Sequence, residues 1–229
     1  MTLQLRPPLP TARIETLIDE AVFAEDRPVL YRDVAKRLLD IALVLVAALP
    51  ILIVTAVFAL LIARDGKSPF YVQKRVGRNG RIFDMYKLRS MVPDAEARLQ
   101  AYLADHPAAR AEWDRDQKLR FDPRITRIGM LIRKTSVDEL PQLWNVLIGD
   151  MSLVGPRPMM PCQKEIYPGT AYYALRPGIT GTWQVSVRNE SSFSQRAMFD
   201  TDYLRTLSLA TDLRVLAETV RVVLHGTGR

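Results

Sequence analysis

The stretch Ile41–Ala63, IALVLVAALPILIVTAVFALLIA, decides the fold class of this chain, because its 23 residues carry no charge. About 20 helical residues cover the hydrocarbon core of a bilayer, so a run of this length is typical of a membrane-inserted helix. A buried core helix is the alternative, but such a helix rarely stays apolar on every face for about six turns. The run begins forty residues into the chain and lacks a small-residue cleavage pattern, which excludes a secretory signal peptide. We therefore expect residues 31–66 to insert into a membrane.

A proline, Pro50, lies at the centre of this run, where it removes one backbone hydrogen bond and bends a helix. Two topologies are compatible with it: a kinked helix that spans the bilayer, and a re-entrant helical hairpin that returns to the face it entered. Lys36 and Arg37 precede the run, and eight lysines and arginines follow it between Arg64 and Arg89. Because basic flanks stay in the cytoplasm, this distribution favours the re-entrant form, with Lys36 and Arg37 at the lipid headgroups.

The composition of the whole chain is that of a globular protein with a sizeable core. Its 229 residues are 48% hydrophobic and 25% charged, which excludes wholesale disorder. The 32 lysines and arginines outnumber the 25 acidic residues, and the net charge of +7 predicts an anionic partner: nucleic acid, phospholipid or a phosphorylated substrate. A single cysteine, Cys162, forms no intrachain disulfide, and two histidines leave few candidates for histidine-based catalysis. Catalysis would therefore rest on carboxylates and basic side chains.

A short β-hairpin is predicted directly after the apolar run. The β-type runs Phe70–Val72 and Ile82–Tyr86 flank Asn79-Gly80, which is a strong hairpin signal. We expect a helix-rich α+β fold in which residues 67–229 form a small cytosolic domain. The proline-rich residues 1–30 are expected to form a mobile cytoplasmic leader.

Helical periodicity predicts several helices in this domain. The segment Asp94–Leu119 is expected to form two helices that are interrupted at His106-Pro107. An amphipathic helix that ends at Gly149 is predicted from the spacing of Leu140, Leu143, Trp144 and Leu147. A C-terminal helix has an apolar face formed by Leu209, Leu213, Leu216, Val220 and Val223. This face lies on the membrane surface or packs on the core, and the sequence leaves both open.

The strongest candidate for chemistry is the adjacent pair Asp138 and Glu139. Arg133 lies just upstream of it, and Arg157 follows in a proline-rich loop. One carboxylate can attack phosphorus to give an acyl phosphate, and the second can hold Mg²⁺ against phosphate oxygens. Guanidinium groups bind phosphates through two parallel hydrogen bonds. This combination of residues suits a metal–phosphate site.

A purely structural interpretation of the same residues is available. Ser136 and Glu139 have the spacing of a helix capping box, and Asp138 in a first turn complements the helix dipole. With Ser136 as the N-cap, Pro141 would delete an intrahelical hydrogen bond, whereas with Asp138 as the cap it lies in the tolerant first turn. Local physics leaves the structural and the catalytic interpretation open.

From Ala35 to Leu224 the chain resembles the bacterial sugar transferase family, the monotopic polyprenyl-phosphate phosphoglycosyl transferases. The matching blocks are KRLLD (36–40), QKRVGRNG (73–80), MYKLRSM (85–91), SVDELPQLWNVLIGDMSLVGPRP (136–158), RPGITGTWQVSVRN (176–189) and FDTDYLRTLSLATDL (199–213). The chain departs from the family pattern at two positions. Leu49 precedes Pro50, where the family has a Ser-Pro break about one turn deeper, and Val187 stands where the family has glycine.

The resemblance implies a specific reaction. Members of this family transfer a sugar phosphate from a nucleotide diphosphosugar to undecaprenyl phosphate at the cytoplasmic face of the bacterial inner membrane, with Mg²⁺ as the cofactor. By resemblance, Asp138 is the nucleophile and Glu139 the Mg²⁺ ligand. The resemblance also assigns substrate phosphates to Lys87, Arg75, Arg133, Arg157 and the pair Arg188-Asn189. The segment 101–126 resembles the branch of the family that uses UDP-galactose or UDP-glucose in the first membrane step of exopolysaccharide synthesis.

The expected partners are a UDP-hexose, undecaprenyl phosphate and the anionic phospholipid bilayer. No nucleic acid is expected, because the sequence holds no recognised nucleic-acid motif. The sequence leaves a homo-oligomer open. Three alternatives are kept: a non-catalytic membrane-tethered scaffold of a polysaccharide assembly complex, a membrane-tethered nucleic-acid or lipid-binding module, and a two-span enzyme with a retaining glycosyl transferase mechanism.

Overall fold

The computed structural model describes residues 30–116, 119–186, 193 and 195–224, which form a helix-rich α+β fold as predicted. Most of the predicted leader lies outside the described residues. The helices are α1 (Lys36–Ile62), α2 (Ala95–Asp105), α3 (Pro107–Asp116), α4 (Arg127–Lys134), α5 (Gln142–Ile148), α6 (Ala171–Ala174), α7 (Thr182–Ser186), α8 (Arg196–Arg205) and α9 (Leu209–Leu224). The strands are β1 (Phe70–Val76), β2 (Ile82–Leu88), β3 (Ser152–Val154) and β4 (Gly178–Thr180).

The apolar run forms one helix, α1, which continues through Pro50 without a break in helical assignment. A π-helical turn, Tyr31–Ala35, precedes α1, and a 3₁₀ turn, Ala63–Asp65, follows it. Its most apolar window of 18 residues has a mean hydropathy of 3.0, and 6% of that window is buried. The core helix of a soluble domain would be mostly buried. Within the described residues α1 is the one helix long and apolar enough to cross a membrane.

The described residues form two compact units, each with its own apolar core. The first unit comprises the described part of Met1–Val46 together with Gln73–Met85 and Gln142–Arg221. The second unit comprises Ala47–Val72, Tyr86–Pro141 and the described part of Val222–Arg229. Helix α1 contributes residues to both units: its residues up to Val46 belong to the first unit, and those from Ala47 onward belong to the second.

The predicted hairpin is confirmed, because β1 and β2 pair in a two-stranded sheet. Asn79 and Gly80 in the connecting turn have φ values of 57° and 76°. Glycine adopts this left-handed conformation freely, and asparagine is among the residues that tolerate it best. Both strands are longer than predicted, and the extension of β2 to Leu88 includes Lys87.

A second, parallel pair of strands was not predicted. Ser152 of β3 pairs with Gly178 of β4, and Val154 pairs with Thr180. The sequence of the segment 176–181 predicts irregular structure, because strands of three residues carry too little alternation to be recognised. This pair brings Val154 into the core of the first unit.

The apolar face predicted for the C-terminal helix is divided: Leu216 packs on the core of the first unit, whereas other residues of this face are exposed. Leu209, Leu213 and Val220 of α9 are 48%, 49% and 58% exposed. The buried face of α9 instead carries Asp212 and Val215. The exposed residues of this face are compatible with a position at the membrane surface, while Leu216 meets the packing alternative, so both interpretations apply to parts of the face.

Candidate functional site

Asp138 and Glu139 lie in a short 3₁₀ turn, Val137–Glu139, which we call the dyad turn. Ser136, the residue before it, has φ 56° and ψ 19°. This left-handed conformation is uncommon for a residue with a side chain, and it costs about 1–3 kcal/mol. Backbone strain of this kind clusters at functional sites, where the surrounding structure maintains it. The strain therefore favours a functional interpretation of the dyad turn.

The capping interpretation of these residues is not supported. The Ser136 side chain makes no capping hydrogen bond. The next α-helix, α5, begins at Gln142, after Pro141. Pro141 thus precedes the helix instead of interrupting it, and the preceding acidic pair occupies a turn of its own.

The structure brings four of the predicted site residues together in the second unit. Lys87 Nζ lies 2.9 Å from Glu139 Oε1, and these side chains are 20% and 19% exposed. Asp138 is half-buried, and burial raises the pKa of its carboxyl group. The charges of Lys87 and Arg133 act against this rise in pKa, while the charge of Glu139 adds to it. The cluster therefore supplies positive charge beside a carboxylate that is partly withdrawn from water.

Two buried residues position the cationic side chains of this cluster. Leu88 and Ile132 are 2% and 0% exposed and pack with Ile62 in one apolar core. Lys87 precedes Leu88 on β2, and Arg133 follows Ile132 on α4. Because neighbouring side chains on a strand point to opposite faces, burial of Leu88 directs Lys87 away from the core.

Asp138 and Glu139 are also the carboxylates that could hold Mg²⁺. Among the described residues, no group of three or more His, Cys, Asp and Glu side chains could hold a metal ion. Mg²⁺ is usually bound by one or two protein carboxylates, with water and substrate phosphates as its other ligands. The donor set of the dyad turn fits a Mg²⁺ that binds together with a phosphate, and does not fit a closed, all-protein metal centre.

Arg75 and Arg157 belong to the first unit and meet at one loop. The Nη1 group of Arg75 donates to the carbonyl of Pro158 at 3.2 Å. The neighbouring carbonyl of Arg157 accepts a hydrogen bond from Arg196 Nη2 at 2.5 Å. Two guanidinium groups therefore fix the backbone of the loop that presents Arg157.

Arg196 is a residue that the sequence analysis missed. It is buried, and its guanidinium lies 5.2 Å from the ring centroid of Trp183 and 5.0 Å from that of Phe193. Nearby, Tyr167 donates a hydrogen bond of 2.5 Å to buried Asp200. Burial raises the pKa of Asp200 to about 6, although this bond and the charge of Arg196 act in the opposite direction. No local sequence pattern identifies such a role for Arg196, because it depends on contacts between separate segments.

The remaining predicted residues fall elsewhere. Arg188 and Asn189 lie outside the described residues.

Lys36 and Arg37 contact protein where the sequence predicted lipid headgroups. Lys36 Nζ lies 2.6 Å from Asp212 Oδ2 with its side chain 8% exposed. Arg37 donates to the carbonyls at the C-terminal end of α5, Val146 and Leu147. The reason is that the first unit offers acceptors to both side chains, a carboxylate to Lys36 and backbone carbonyls to Arg37, and these contacts anchor the start of α1.

The sequence was compared with known proteins. The model of the bacterial sugar transferase family matches residues 31–226. The chain belongs to the bacterial sugar transferase family. Each predicted site residue of the chain, from Lys36 to Asn189, lies inside the matched range.

Individual relatives of the chain extend the comparison. The UDP-galactose-lipid carrier transferase of Erwinia amylovora is 50% identical over 192 residues, which cover 83% of this chain and 39% of that protein. The undecaprenyl-phosphate galactose phosphotransferase of Salmonella typhimurium is 50% identical over 169 residues, covering 73% and 36%. The exopolysaccharide production protein ExoY of Sinorhizobium fredii is 40% identical over 201 residues, covering 85% and 88%. The chain thus spans about two fifths of the first two relatives and most of the third.

Proposed function

We propose that this chain transfers galactose 1-phosphate or glucose 1-phosphate from a UDP-hexose to undecaprenyl phosphate and releases UMP. The dyad turn carries this proposal, because it places the half-buried Asp138 next to Glu139, with Lys87 2.9 Å from the second carboxylate. The names of two relatives, a UDP-galactose-lipid carrier transferase and an undecaprenyl-phosphate galactose phosphotransferase, support these substrate classes.

In the first half-reaction, an Asp138 carboxylate oxygen attacks the phosphorus that bears the hexose. The bond from this phosphorus to the bridging oxygen breaks, and the bridging oxygen leaves with UMP. The product is a phosphosugar ester of Asp138, an acyl phosphate. Lys87 and Arg133 favour this step in two ways: their charge opposes the rise in the pKa of Asp138 that burial causes, and it attracts the anionic diphosphate.

In the second half-reaction, a phosphate oxygen of undecaprenyl phosphate attacks the same phosphorus. The bond to Asp138 breaks, so the carboxylate is regenerated and the hexose is linked to the lipid through a diphosphate. The donor product leaves before the acceptor reacts, which makes the mechanism ping-pong.

Glu139 is the proposed ligand for Mg²⁺, which would neutralise the charge of the diphosphate oxygens when bound. Lys87 holds the Glu139 side chain in a fixed position at the dyad turn. Because the protein offers few other carboxylates there, substrate phosphate and water would supply the remaining ligands. Arg75 and Arg157 are proposed to bind substrate phosphate from the loop that Arg196 supports.

The re-entrant topology is part of the proposal. Near the start of α1, Lys36 contacts Asp212, and near its end Ile62 packs on Leu88 and Ile132. No described residue between Leu88 and Asp212 belongs to another helix of membrane length. The basic residues on both sides of the apolar run support a helix that enters and leaves by one face of the membrane.

We assign this face to the cytoplasm, at the bacterial inner membrane, because nucleotide sugars are made in the cytoplasm. The name of the Sinorhizobium fredii relative, an exopolysaccharide production protein, supports a place in the first membrane step of exopolysaccharide synthesis.

The proposed function is tested by release of UMP from a panel of UDP-sugars, with purified full-length chain, Mg²⁺ and undecaprenyl phosphate. We expect release from UDP-galactose or UDP-glucose, and none in Asp138→Asn. The control variant is Asp114→Asn, since Asp114 is an exposed carboxylate of α3 that pairs with Arg110. Equal activity in wild type and Asp138→Asn, or no release from any donor, would overturn the proposal.

A further inference from the structure

Four basic side chains of the first unit line a recess at the start of α1. Arg32 and Lys36 come from successive helical turns, Arg78 comes from the hairpin turn, and Arg176 comes from the segment before β4. The acidic residue on its wall, Asp40, accepts hydrogen bonds from the hydroxyl of Ser152 and the amide of Leu153. The wall is therefore predominantly cationic.

Among these cations, Arg78 retains hydrogen-bonding capacity. The Nε group of Arg78 is buried and has no hydrogen-bond partner among the described residues. Arg176 donates through Nε to the carbonyl of Gly149 at 3.0 Å, and its side chain is among those that line the recess. Burial lowers the pKa of Arg176, and the nearby charges of Arg78 and Arg37 lower it further. A half-buried guanidinium beside like charges is stabilised by an anion.

The acidic residues around the recess compensate these charges only in part. Asp212 pairs with Lys36. Asp33 lies 3.1 Å from both Arg32 and Arg78, and its own side chain is 38% exposed. A carboxylate bridging two guanidinium groups has the charge and the acceptor geometry of a bound phosphate. Because Asp33 is exposed, a phosphate can displace it without leaving a buried charge unpaired.

We propose that this recess binds the phosphate group of an anionic lipid headgroup. Guanidinium groups favour phosphate because their planar donors match two of its oxygens. The position at the start of the membrane helix favours a phosphate carried by a lipid, although free inorganic phosphate offers the same chemistry. None of the recess residues belongs to the dyad turn, so this proposal does not depend on the proposed transferase activity.

Binding can be measured calorimetrically with the purified full-length chain in uncharged detergent micelles at constant ionic strength. The ligands are a short-chain phosphatidylglycerol and, separately, inorganic phosphate. We expect Arg78→Gln and Arg176→Gln to weaken phosphatidylglycerol binding by about tenfold each, the effect of losing a hydrogen bond to a charged group. Asp33→Asn should strengthen binding, because it removes the competing carboxylate. The matched control is Arg110→Gln, which removes an exposed positive charge on α3.

The opposite effects of these variants keep the test independent of folding, since damage to the fold cannot tighten binding in Asp33→Asn. Binding of inorganic phosphate as tight as that of phosphatidylglycerol, with the same variant profile, would support the phosphate site and identify a soluble anion as its ligand. The proposal is overturned if neither ligand binds the wild type. It is also overturned if Arg78→Gln, Arg176→Gln and Asp33→Asn bind phosphatidylglycerol as the Arg110→Gln control does.

Discussion

The left-handed backbone of Ser136 separates α4 from the dyad turn, so that Asp138 and Glu139 are not absorbed into either neighbouring helix. Pro141 has a matching effect on the other side, because it lacks the amide hydrogen that would extend α5 backwards. The two carboxylates therefore occupy a short, fixed turn between helices. The geometry of the dyad turn therefore depends on two single residues, Ser136 and Pro141, at which the neighbouring helices stop.

Glu139→Gln should raise the Mg²⁺ concentration needed for half-maximal UMP release, or abolish activity. The reason is that a neutral amide is a poorer ligand than a carboxylate for a small, strongly hydrated cation. A matched control is Glu96→Gln, which changes an exposed carboxylate on α2. An unchanged Mg²⁺ requirement in Glu139→Gln, or full wild-type activity in EDTA, would contradict the metal assignment.

A pH dependence of stability is expected from Asp200. Burial raises its pKa to about 6 in the folded protein, so the folded state binds the proton more tightly than the unfolded chain does. The stabilising contribution is thus present below about pH 4 and is lost as the pH rises through 6. As the pH rises from about 4 to about 6, the free energy of unfolding of Asp200→Asn should increase by up to about 3 kcal/mol relative to that of the wild type. Thermal unfolding of both proteins at several pH values measures this difference, and a pH-independent difference would contradict the prediction.

Among the elements, the start of α1 is anchored by a buried ion pair, and a double-mutant cycle can test it. Lys36→Met should destabilise the fold by about 3–5 kcal/mol, because it leaves the Asp212 carboxylate buried without its cation. Combining Lys36→Met with Asp212→Asn should recover part of this loss, since the uncompensated charge is removed. Denaturation in detergent measures both. Arg214→Gln, an exposed change on α9, is the control. A double variant as unstable as the sum of the two single variants would show that the pair is not coupled.

Elements with a strong local signal could be predicted from the sequence. The Asn79-Gly80 turn specified the hairpin, and His106-Pro107 marked the break between α2 and α3. The parallel pair of β3 and β4 could not be predicted, because its hydrogen bonds join Ser152 to Gly178 across an intervening stretch of chain. Local patterns do not encode pairings of this kind.

The same distinction applies to the candidate site. Asp138 and Glu139 stand out because they are adjacent and lie between basic residues, and the structure places Lys87 and Arg133 beside them. Arg196 did not stand out, because its aromatic neighbours and the Arg157 carbonyl come from other segments. The contact of Lys36 with Asp212 was likewise hidden, since nothing near either residue points to the other.

At the scale of the whole molecule, cysteine labelling tests the topology. In a Cys162→Ser background, which removes the exposed native cysteine, Val34→Cys and Lys67→Cys should both resist an impermeant reagent in intact cells and react after permeabilisation. Both positions are exposed; Val34 lies just before α1 and Lys67 lies just after it. Labelling of Val34→Cys in intact cells would show that α1 spans the bilayer. Pro50→Leu should favour that spanning form, because a straight apolar helix of this length can cross.

Intact-mass analysis of the wild-type chain with UDP-galactose or UDP-glucose, in the absence of undecaprenyl phosphate, tests the proposed mechanism most directly. The account predicts a hexose-phosphate adduct that maps to Asp138, is lost when undecaprenyl phosphate is added, and does not form in Asp138→Asn. Lipid-dependent release of UMP with no adduct at any time, or an adduct on another residue, would contradict it.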